Sequence, residues 1–226
     1  MERDDLVTDP INLFLKWYET ARTGQAGQSL KDRIISRATR VIRRLFEVLL
    51  PWSNLFRPDV ATLATITPEN RPAARSVLFK GLVHGGFSFY TDGNSNKAAE
   101  LSANPWAVLV FYWHFPPRQV RIDGRVLKLS RKEVEADWSA RKRENQAAAS
   151  ALPQSSVIKS RADLVQKVKQ IKHRYQQKPI PCPDSWSGYY LIPAKIEFWE
   201  GRLDWMHIRE RYVVDNNTWQ KVMLAP

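Results

Sequence analysis

Alternation of apolar and polar residues dominates the chain from residue 60 onward and predicts β-strands. Segments rich in Val, Ile, Phe, Tyr and Trp are separated by Pro, Gly, Asn or Asp, which is typical of an antiparallel sheet. The predicted strands span residues 60–67, 74–81, 86–91, 106–113, 118–129, 188–199, 209–214 and 218–224. The last two would form a hairpin across the polar turn at 215–217.

Helical periodicity appears before and between these strands. Asp9 is a suitable N-cap and Pro10 suits the first turn, while Ser130 and Glu133 have the spacing of a capping box. The predicted helices span residues 9–22, 31–50, two turns after Ser95, 130 to about 142, and 160–176. We therefore expect a mainly β fold with helices (α+β), forming a single domain over 1–226.

Composition is that of an ordinary globular protein, with 43% hydrophobic and 26% charged residues. No apolar run reaches the roughly 20 residues needed to span a bilayer, and the N-terminus has no hydrophobic signal core, so we expect a cytoplasmic location. The single cysteine, Cys182, excludes an internal disulfide and any multi-cysteine metal site. The four histidines have no close ligand spacing, so no metal is expected.

A net charge of +12 attracts anions, whether nucleic acid, anionic lipid or phosphorylated small molecules, and does not choose between them. No zinc-finger spacing, RNP-type strand or basic zipper is present in the sequence, so nucleic acid is not expected. The glycine-rich phosphate loops of the Rossmann and P-loop types are also absent from the sequence. A bound phosphate would therefore be held by side chains, and the candidates are Arg75, Lys80, Lys97 and Ser155.

The order and spacing of several motifs resemble the pyridoxamine 5′-phosphate oxidase family. The motifs are DPINLFLKW at 9–17, RSVLFK at 75–80, FYT at 89–91, SNKAAELSANP at 95–105, RQV at 118–120, QSS at 154–156, IEFWEGRLDWMHIRER at 196–211 and a terminal LAP. The resemblance implies an FMN-binding split β-barrel that is homodimeric, with FMN bound between the two subunits.

The resemblance also implies which residues contact FMN, some of them from the partner subunit. They are Arg75, Ser76, Val77, Leu78, Lys80, Tyr90, Thr91, Asn96, Lys97, Gln119, Gln154, Ser155, Trp199 and Arg209. Cations offset the charge of the phosphate, and glutamine side chains can hydrogen-bond the polar edge of the flavin ring. Asn96 stands where the family has a second phosphate-binding arginine, so the site has one cation fewer.

The substrate positions implied by the resemblance are only half retained. They are Lys80, Asp137, Arg141, Asn145, Trp205 and His207, of which His207 and Arg141 are the candidate catalytic residues that orient the substrate. Asp137, Asn145 and Trp205 replace a tyrosine, a serine and an arginine of the family. We therefore expect an anionic small-molecule substrate that is larger, flatter or less phosphorylated than the family's own.

Three functions are compatible with this sequence. The first is an FMN-dependent oxidase that forms pyridoxal 5′-phosphate from pyridoxamine or pyridoxine 5′-phosphate while reducing O₂ to H₂O₂. The second is an FMN-dependent oxidase of another substrate, such as a dihydrophenazine precursor, because WAVLVFYW and Trp138 look similar to phenazine-biosynthesis flavin oxidases. The third is a non-catalytic flavin-binding protein whose helix 31–50 docks on a partner or on a membrane. The departures at Asp137, Asn145 and Trp205 weigh against the first function.

Residues 25–57 are predicted to be an insertion relative to the family, containing the basic amphipathic helix 31–50. Six Lys/Arg and two acidic residues give this helix a local charge of +4, with arginines on one side and aliphatic residues opposite. We expect the apolar side to pack on the dimer itself, because an exposed stripe of this size favours aggregation. Docking on an anionic membrane or on another protein is the alternative.

Overall fold

The computed structural model of the protein describes residues 9–23 and 57–226. Its helices are α1 (Pro10–Thr23), α2 (Asn96–Ala103), α3 (Arg131–Ala140), α4 (Arg143–Ala151) and α5 (Arg161–Arg174). Its strands are β1 (Val60–Ile66), β2 (Pro72–Leu78), β3 (Leu82–Val83), β4 (Gly86–Asp92), β5 (Trp106–His114), β6 (Pro117–Lys128), β7 (Trp186–Glu200), β8 (Ile208–Asp215) and β9 (Thr218–Leu224). The helix predicted over 31–50 and the insertion predicted at 25–57 lie outside the described residues.

All nine strands join one antiparallel sheet, in the order β2-β1-β5-β6-β7-β4-β3, and β8 and β9 branch from β7. This confirms the mainly β, α+β prediction. None of the helices in the described ranges is long and apolar enough to cross a membrane.

Strand β7 divides the sheet into two parts. One edge of β7 pairs with β6, while the other edge is shared between two neighbours. Its first half, Trp186–Leu191, pairs with β4, and its second half, Lys195–Glu200, pairs with β8. The β3–β4 and β8–β9 hairpins therefore lie one after the other along β7.

A β-bulge at Gly124 lets β6 follow this long strand. The pairing register shifts between Asp123 and Gly124, and Gly124 lies opposite Pro193, which has no N–H to donate. A Cβ placed on Gly124 would lie 2.0 Å from the carbonyl oxygen of Ile192, a distance that no side chain permits. Glycine is therefore required here so that the two backbones can approach each other.

Two hydrophobic clusters hold the helices against the sheet. The larger surrounds Phe14 of α1, which is fully buried among aromatic residues of β4 and β5. The smaller lies beneath the helices that follow β6 and centres on Trp138 and Trp186, whose rings are 5.6 Å apart. The indole Nε1 of Trp138 donates to the carbonyl of Ile180 at 2.8 Å, which ties α3 to the segment before β7.

The sequence predictions placed the ends of two elements wrongly and missed two others. Strand β2 ends at Leu78 instead of 81, because the backbone N–H of Lys80 pairs with Ser88 as the chain turns. The helix predicted from 130 to about 142 ends at Ala140, although its capping box at Ser130 is confirmed. Helix α4 and the two-residue strand β3 were not predicted at all.

Replacing Phe14 by Ala should destabilise the protein by about 3–5 kcal/mol, because the variant leaves a cavity in a buried aromatic cluster. The Phe14 ring has zero exposure and lies 4.8–6.0 Å from the rings of Phe79, Phe87, Phe111 and Trp113. Leu15→Ala on the same helix is the control, since Leu15 is 39% exposed. Chemical denaturation measures both variants, and equal losses would contradict this account of the core.

Candidate functional site

A cavity of about 190 Å³ lies where β2, β4, α2 and the loop after α4 meet. Its lining residues are Ser76, Val77, Leu78, Lys80, Tyr90, Thr91, Lys97, Arg141, Gln154 and Trp186. Nine of these ten are predicted site residues, so the fold brings together positions that are up to 78 residues apart in the sequence. The tenth, Trp186, was not predicted. Its only signal in the sequence is its place at the end of a proline-rich loop just before a strand.

Lys97 is the cation held most firmly in this cavity. Its Nζ donates to Oγ1 of Thr91 at 3.0 Å and to Oε1 of Gln154 at 3.1 Å. The hydroxyl of Thr91 donates to the same oxygen of Gln154 at 2.8 Å. Burial and the nearby Arg75 guanidinium lower the pKa of Lys97, which is therefore readier than an ordinary lysine to lose its proton.

The loop after α4 is held close to the N-terminus of α2. The backbone N–H of Asn96, the first residue of that helix, donates to Oγ of Ser155 at 3.2 Å. Ser155 has a φ of +67°, a left-handed conformation that turns the loop back toward the helix. Asn96 and Ser155 thus lie beside the cavity, where the N-terminal dipole of a helix favours an anion.

Strand β2 borders the cavity and is an edge strand. It pairs only with β1, so half of its backbone N–H and C=O groups face away from the described sheet. Ser76, Val77 and Leu78 line the cavity, and Lys80 follows two residues after the strand ends. Arg75 is not among the lining residues, because Glu100 and Thr65 engage its guanidinium.

Opposite β2, a guanidinium and an indole form the wall of the cavity. The Arg141 guanidinium lies over the Trp186 ring at 4.5 Å from its centroid, a cation–π contact. Nη1 of Arg141 is 3.4 Å from Oδ2 of Asp137, one helical turn earlier.

Burial, together with Asp137 and Glu133, raises the pKa of Tyr90 to about 12, so this phenol stays protonated. Asn145, by contrast, is exposed on α4 and does not line the cavity.

The remaining predicted residues form a second group, here called the distal group: Gln119, Trp199, Trp205, His207 and Arg209. Gln119 on β6, Trp199 on β7 and Arg209 on β8 are direct partners in the sheet. The His207 ring lies 4.9 Å from Trp199 and 5.9 Å from Trp205. None of these five residues lines the cavity.

The loop before β8 presents the aromatic part of the distal group to solvent. The backbone N–H of Arg202 donates to Nδ1 of His207 at 3.1 Å, so a neutral His207 carries its proton on Nε2. Trp205 has a φ of +63° and is 80% exposed. An indole this exposed is available to contact a ligand or another chain.

The distal group and the cavity lie at opposite ends of β7. Trp186 lines the cavity and Trp199 belongs to the distal group, and they are thirteen residues apart on one strand. At about 3.3 Å per residue the strand path between them is roughly 40 Å. The predicted cofactor residues therefore fall into two groups, of which one lines the cavity and the other does not.

A larger groove of about 540 Å³ lies between the loop after α4 and helix α5. It is lined by Val157, Lys159 and Leu164 with their neighbours, and it contains none of the predicted site residues. Lys80 and Lys97 line the smaller cavity, and the N-terminus of α2 lies beside it. Because these groups are suited to bind a phosphate, we place the candidate site there.

Family models account for most of the chain. The family described as pyridoxamine 5′-phosphate oxidase matches residues 53–175, which include every residue of the cavity except Trp186. The chain belongs to the pyridoxamine 5′-phosphate oxidase family. The family described as the pyridoxine 5′-phosphate oxidase C-terminal dimerisation region matches residues 186–226, which include Trp186 and all of the distal group except Gln119.

Relatives in this oxidase family align over most of their length. The chain is 39% identical over 187 residues to the pyridoxine/pyridoxamine 5′-phosphate oxidase of Rubrobacter xylanophilus, covering 83% of this chain and 86% of that one. It is 36% identical to the enzyme of the same name from Coxiella burnetii, over the whole of both chains. The family resemblance read from the sequence motifs is thus confirmed.

Solved structures share the fold. PhzG from Burkholderia lata, in complex with tetrahydrophenazine-1-carboxylic acid, has a TM-score of 0.79 and 28% identity, covering 99% of this chain and 95% of that chain. An FMN-binding protein from Nostoc punctiforme related to pyridoxamine 5′-phosphate oxidase has a TM-score of 0.63 and 20% identity, covering 83% and 96%. These likenesses confirm the prediction of a split β-barrel fold.

Proposed function

We propose that this protein is an FMN-dependent oxidase that holds FMN between the two subunits of a homodimer. The observation that carries the proposal is the cluster of Lys97, Thr91 and Gln154, beside the N-terminus of α2 and the free edge of β2. A half-buried ammonium group and a helix N-terminus together form a site for a phosphate.

The chemistry of the cavity residues fits FMN. Lys97 and Ser155 would hold the phosphate, and the exposed backbone edge at Ser76–Leu78 would hydrogen-bond the polar edge of the flavin ring. The cavity volume of about 190 Å³ is smaller than the roughly 300–1,000 Å³ that encloses a ligand of this size. One subunit would therefore supply only part of the site.

The partner subunit would supply the rest through the distal group. Trp199 on β7 and its sheet partner Arg209 on β8 lie in the segment that matches the dimerisation region, and neither lines the cavity of its own chain. In a symmetric dimer each cavity would face the distal group of the partner. One FMN would then contact the Trp186 end of β7 in one subunit and the Trp199 end of β7 in the other.

When bound, FMN would accept a hydride from a carbon next to an amine or alcohol and pass the electrons to O₂, which becomes H₂O₂. The protein would bind and orient the substrate for hydride transfer. Lys80 and Arg141 would attract an anionic substrate, and Nε2–H of His207 would donate a hydrogen bond to it. Pyridoxamine 5′-phosphate would lose a hydride and a proton to become an imine, and one water molecule would then hydrolyse the imine to pyridoxal 5′-phosphate and ammonia.

Pyridoxamine or pyridoxine 5′-phosphate is the first candidate substrate, supported by the names of the relatives and by Lys80. A planar substrate without a phosphate, such as a dihydrophenazine, is the second candidate. It is supported by the Asp137–Arg141 ion pair, which already occupies the guanidinium, and by the likeness to PhzG. The exposed indole of Trp205 also favours a flat aromatic ring.

The oxidase proposal is tested by mixing the purified protein with each candidate substrate without oxygen and following the absorbance of the flavin. We expect a yellow protein with about one FMN per subunit, since each subunit has one such cavity. The true substrate should bleach the flavin, and admitted O₂ should restore the colour with formation of H₂O₂. A colourless protein that takes up no added FMN would contradict the proposal.

The substrate assignment is tested by the double variant Asp137→Tyr, Trp205→Arg. Removing Asp137 frees the Arg141 guanidinium, and each charged hydrogen bond gained is worth about 1.5–3 kcal/mol, so KM for pyridoxamine 5′-phosphate should fall roughly tenfold or more. Glu135→Gln, an exposed residue of the same helix, is the control and should leave KM unchanged. A low KM in the unmodified protein would show that Asp137 does not weaken phosphate binding.

A further inference from the structure

Trp186 lines the cavity, and no step described above uses its indole. The residue is 5% exposed and is fixed on two sides. Its backbone N–H donates to the carbonyl of Pro183 at 3.0 Å, and its ring packs edge-on against the ring of Trp138. Trp186 also pairs with Asp92 in the sheet, as the first residue of β7. An aromatic ring that is fixed in this way can support a neighbouring side chain.

The side chain that this ring supports is that of Arg141. Arg141 directly follows α3, and its guanidinium lies 4.5 Å from the centroid of the indole, within the roughly 6 Å of a cation–π contact. The contact with Asp137 is a weak one, because the 3.4 Å between Nη1 and Oδ2 exceeds the roughly 2.7–3.2 Å of an ordinary hydrogen bond. The indole is therefore the neighbour that fixes the direction of the guanidinium.

Stacking on Trp186 leaves hydrogen-bond donors of Arg141 free. A guanidinium stacks through its face and hydrogen-bonds through its edge, which carries five N–H groups. Within the described ranges Asp137 engages only Nη1, so the N–H groups of Nη2 and Nε have no acceptor. A phosphate that enters the cavity can therefore accept from Arg141 while the ring still holds the guanidinium in place.

We propose that Trp186 is a specificity-determining residue that acts through Arg141. Its indole holds the guanidinium face-on in the wall of the cavity, so that the free N–H groups meet the phosphate of the substrate. This rests on the proposed oxidase function and adds to it that Trp186 favours ligands with a phosphate over ligands without one.

The first test is Trp186→Leu in the full-length protein loaded with FMN. Pyridoxal 5′-phosphate is the probe, and its Kd is measured from the change in flavin absorbance. We expect this Kd to rise roughly tenfold, because a desolvated cation–π contact is lost. The Kd for pyridoxal, which lacks the phosphate, should change by less than about twofold. The proposal is wrong if both ligands are weakened equally, if neither is weakened, or if the unmodified protein does not prefer the phosphorylated ligand.

Trp186→Phe keeps an aromatic ring that attracts a cation less strongly, and it also serves if Trp186→Leu does not fold. The Kd for pyridoxal 5′-phosphate should rise only about threefold in this variant. A Kd that does not change, or that rises as far as in Trp186→Leu, would show that attraction between the ring and the guanidinium is not the cause.

Tyr175→Leu is the matched control. Tyr175 packs against the hydrophobic cluster that contains Trp186 and has its own cation–π contact with Arg174, but it does not line the cavity. Its replacement should leave the Kd for both ligands at the values of the unmodified protein. If Tyr175→Leu weakens pyridoxal 5′-phosphate as Trp186→Leu does, loss of packing explains the effect and the proposal fails.

The second test repeats both changes of Trp186 in the background Arg141→Met. Because Trp186 acts through the guanidinium, Trp186→Leu or Trp186→Phe should then change the Kd for pyridoxal 5′-phosphate by less than about twofold. Losses that add fully to the loss caused by Arg141→Met would show that the indole contacts the ligand itself, and they would overturn the proposal. Failure of the unmodified protein to bind FMN would instead contradict the proposed function.

Discussion

The length of β7 is the constraint on which the arrangement of the site depends. Its fifteen residues pair with β6 on one edge, and they carry β4 and β8 one after the other on the other edge. The backbones of β6 and β7 remain close because Gly124 lies opposite Pro193. A strand of this length places Trp186 in the cavity and Trp199 in the distal group, roughly 40 Å away along the chain. This separation along β7 is the reason for proposing that a site using both ends is formed by two chains.

Charge pairing then decides which cations remain available to a ligand. The chain has a net charge of +12, yet two arginines near the cavity are already engaged, Arg75 by Glu100 and Arg141 by Asp137. Within the described ranges, no ion pair engages Lys80 or Lys97, which both line the cavity. Lys97 contacts only neutral oxygens, so a phosphate can replace them without breaking an ion pair. Which cations can meet a ligand is therefore decided by the ion pairs around the cavity and not by the net charge of the chain.

Much of this structure could be predicted from the sequence, because strands with strong alternation and helices with clear caps are specified locally. The capping box at Ser130 is an example, and both of its hydrogen bonds are present. Helix α4 was missed because its caps are weak, although its alanine-rich sequence favours a helix. Nine of the ten cavity residues were identified, seven of them only through the family resemblance, whereas Lys80 and Lys97 were also candidates for phosphate binding by their charge. The ion pair between Arg75 and Glu100 joins residues on different elements, and no periodicity signals such a contact.

The central claim, that each site combines the cavity of one subunit with the distal group of the other, is tested most directly by mixing two defective variants. Lys97→Met impairs the cavity and Arg209→Met impairs the distal group, so each homodimer should bind FMN poorly. Unfolded together and refolded as a mixture, they should form heterodimers in which one of the two sites is fully intact, with flavin binding restored at that site. No restoration in verified heterodimers would contradict the account, because every site would then be built within a single chain.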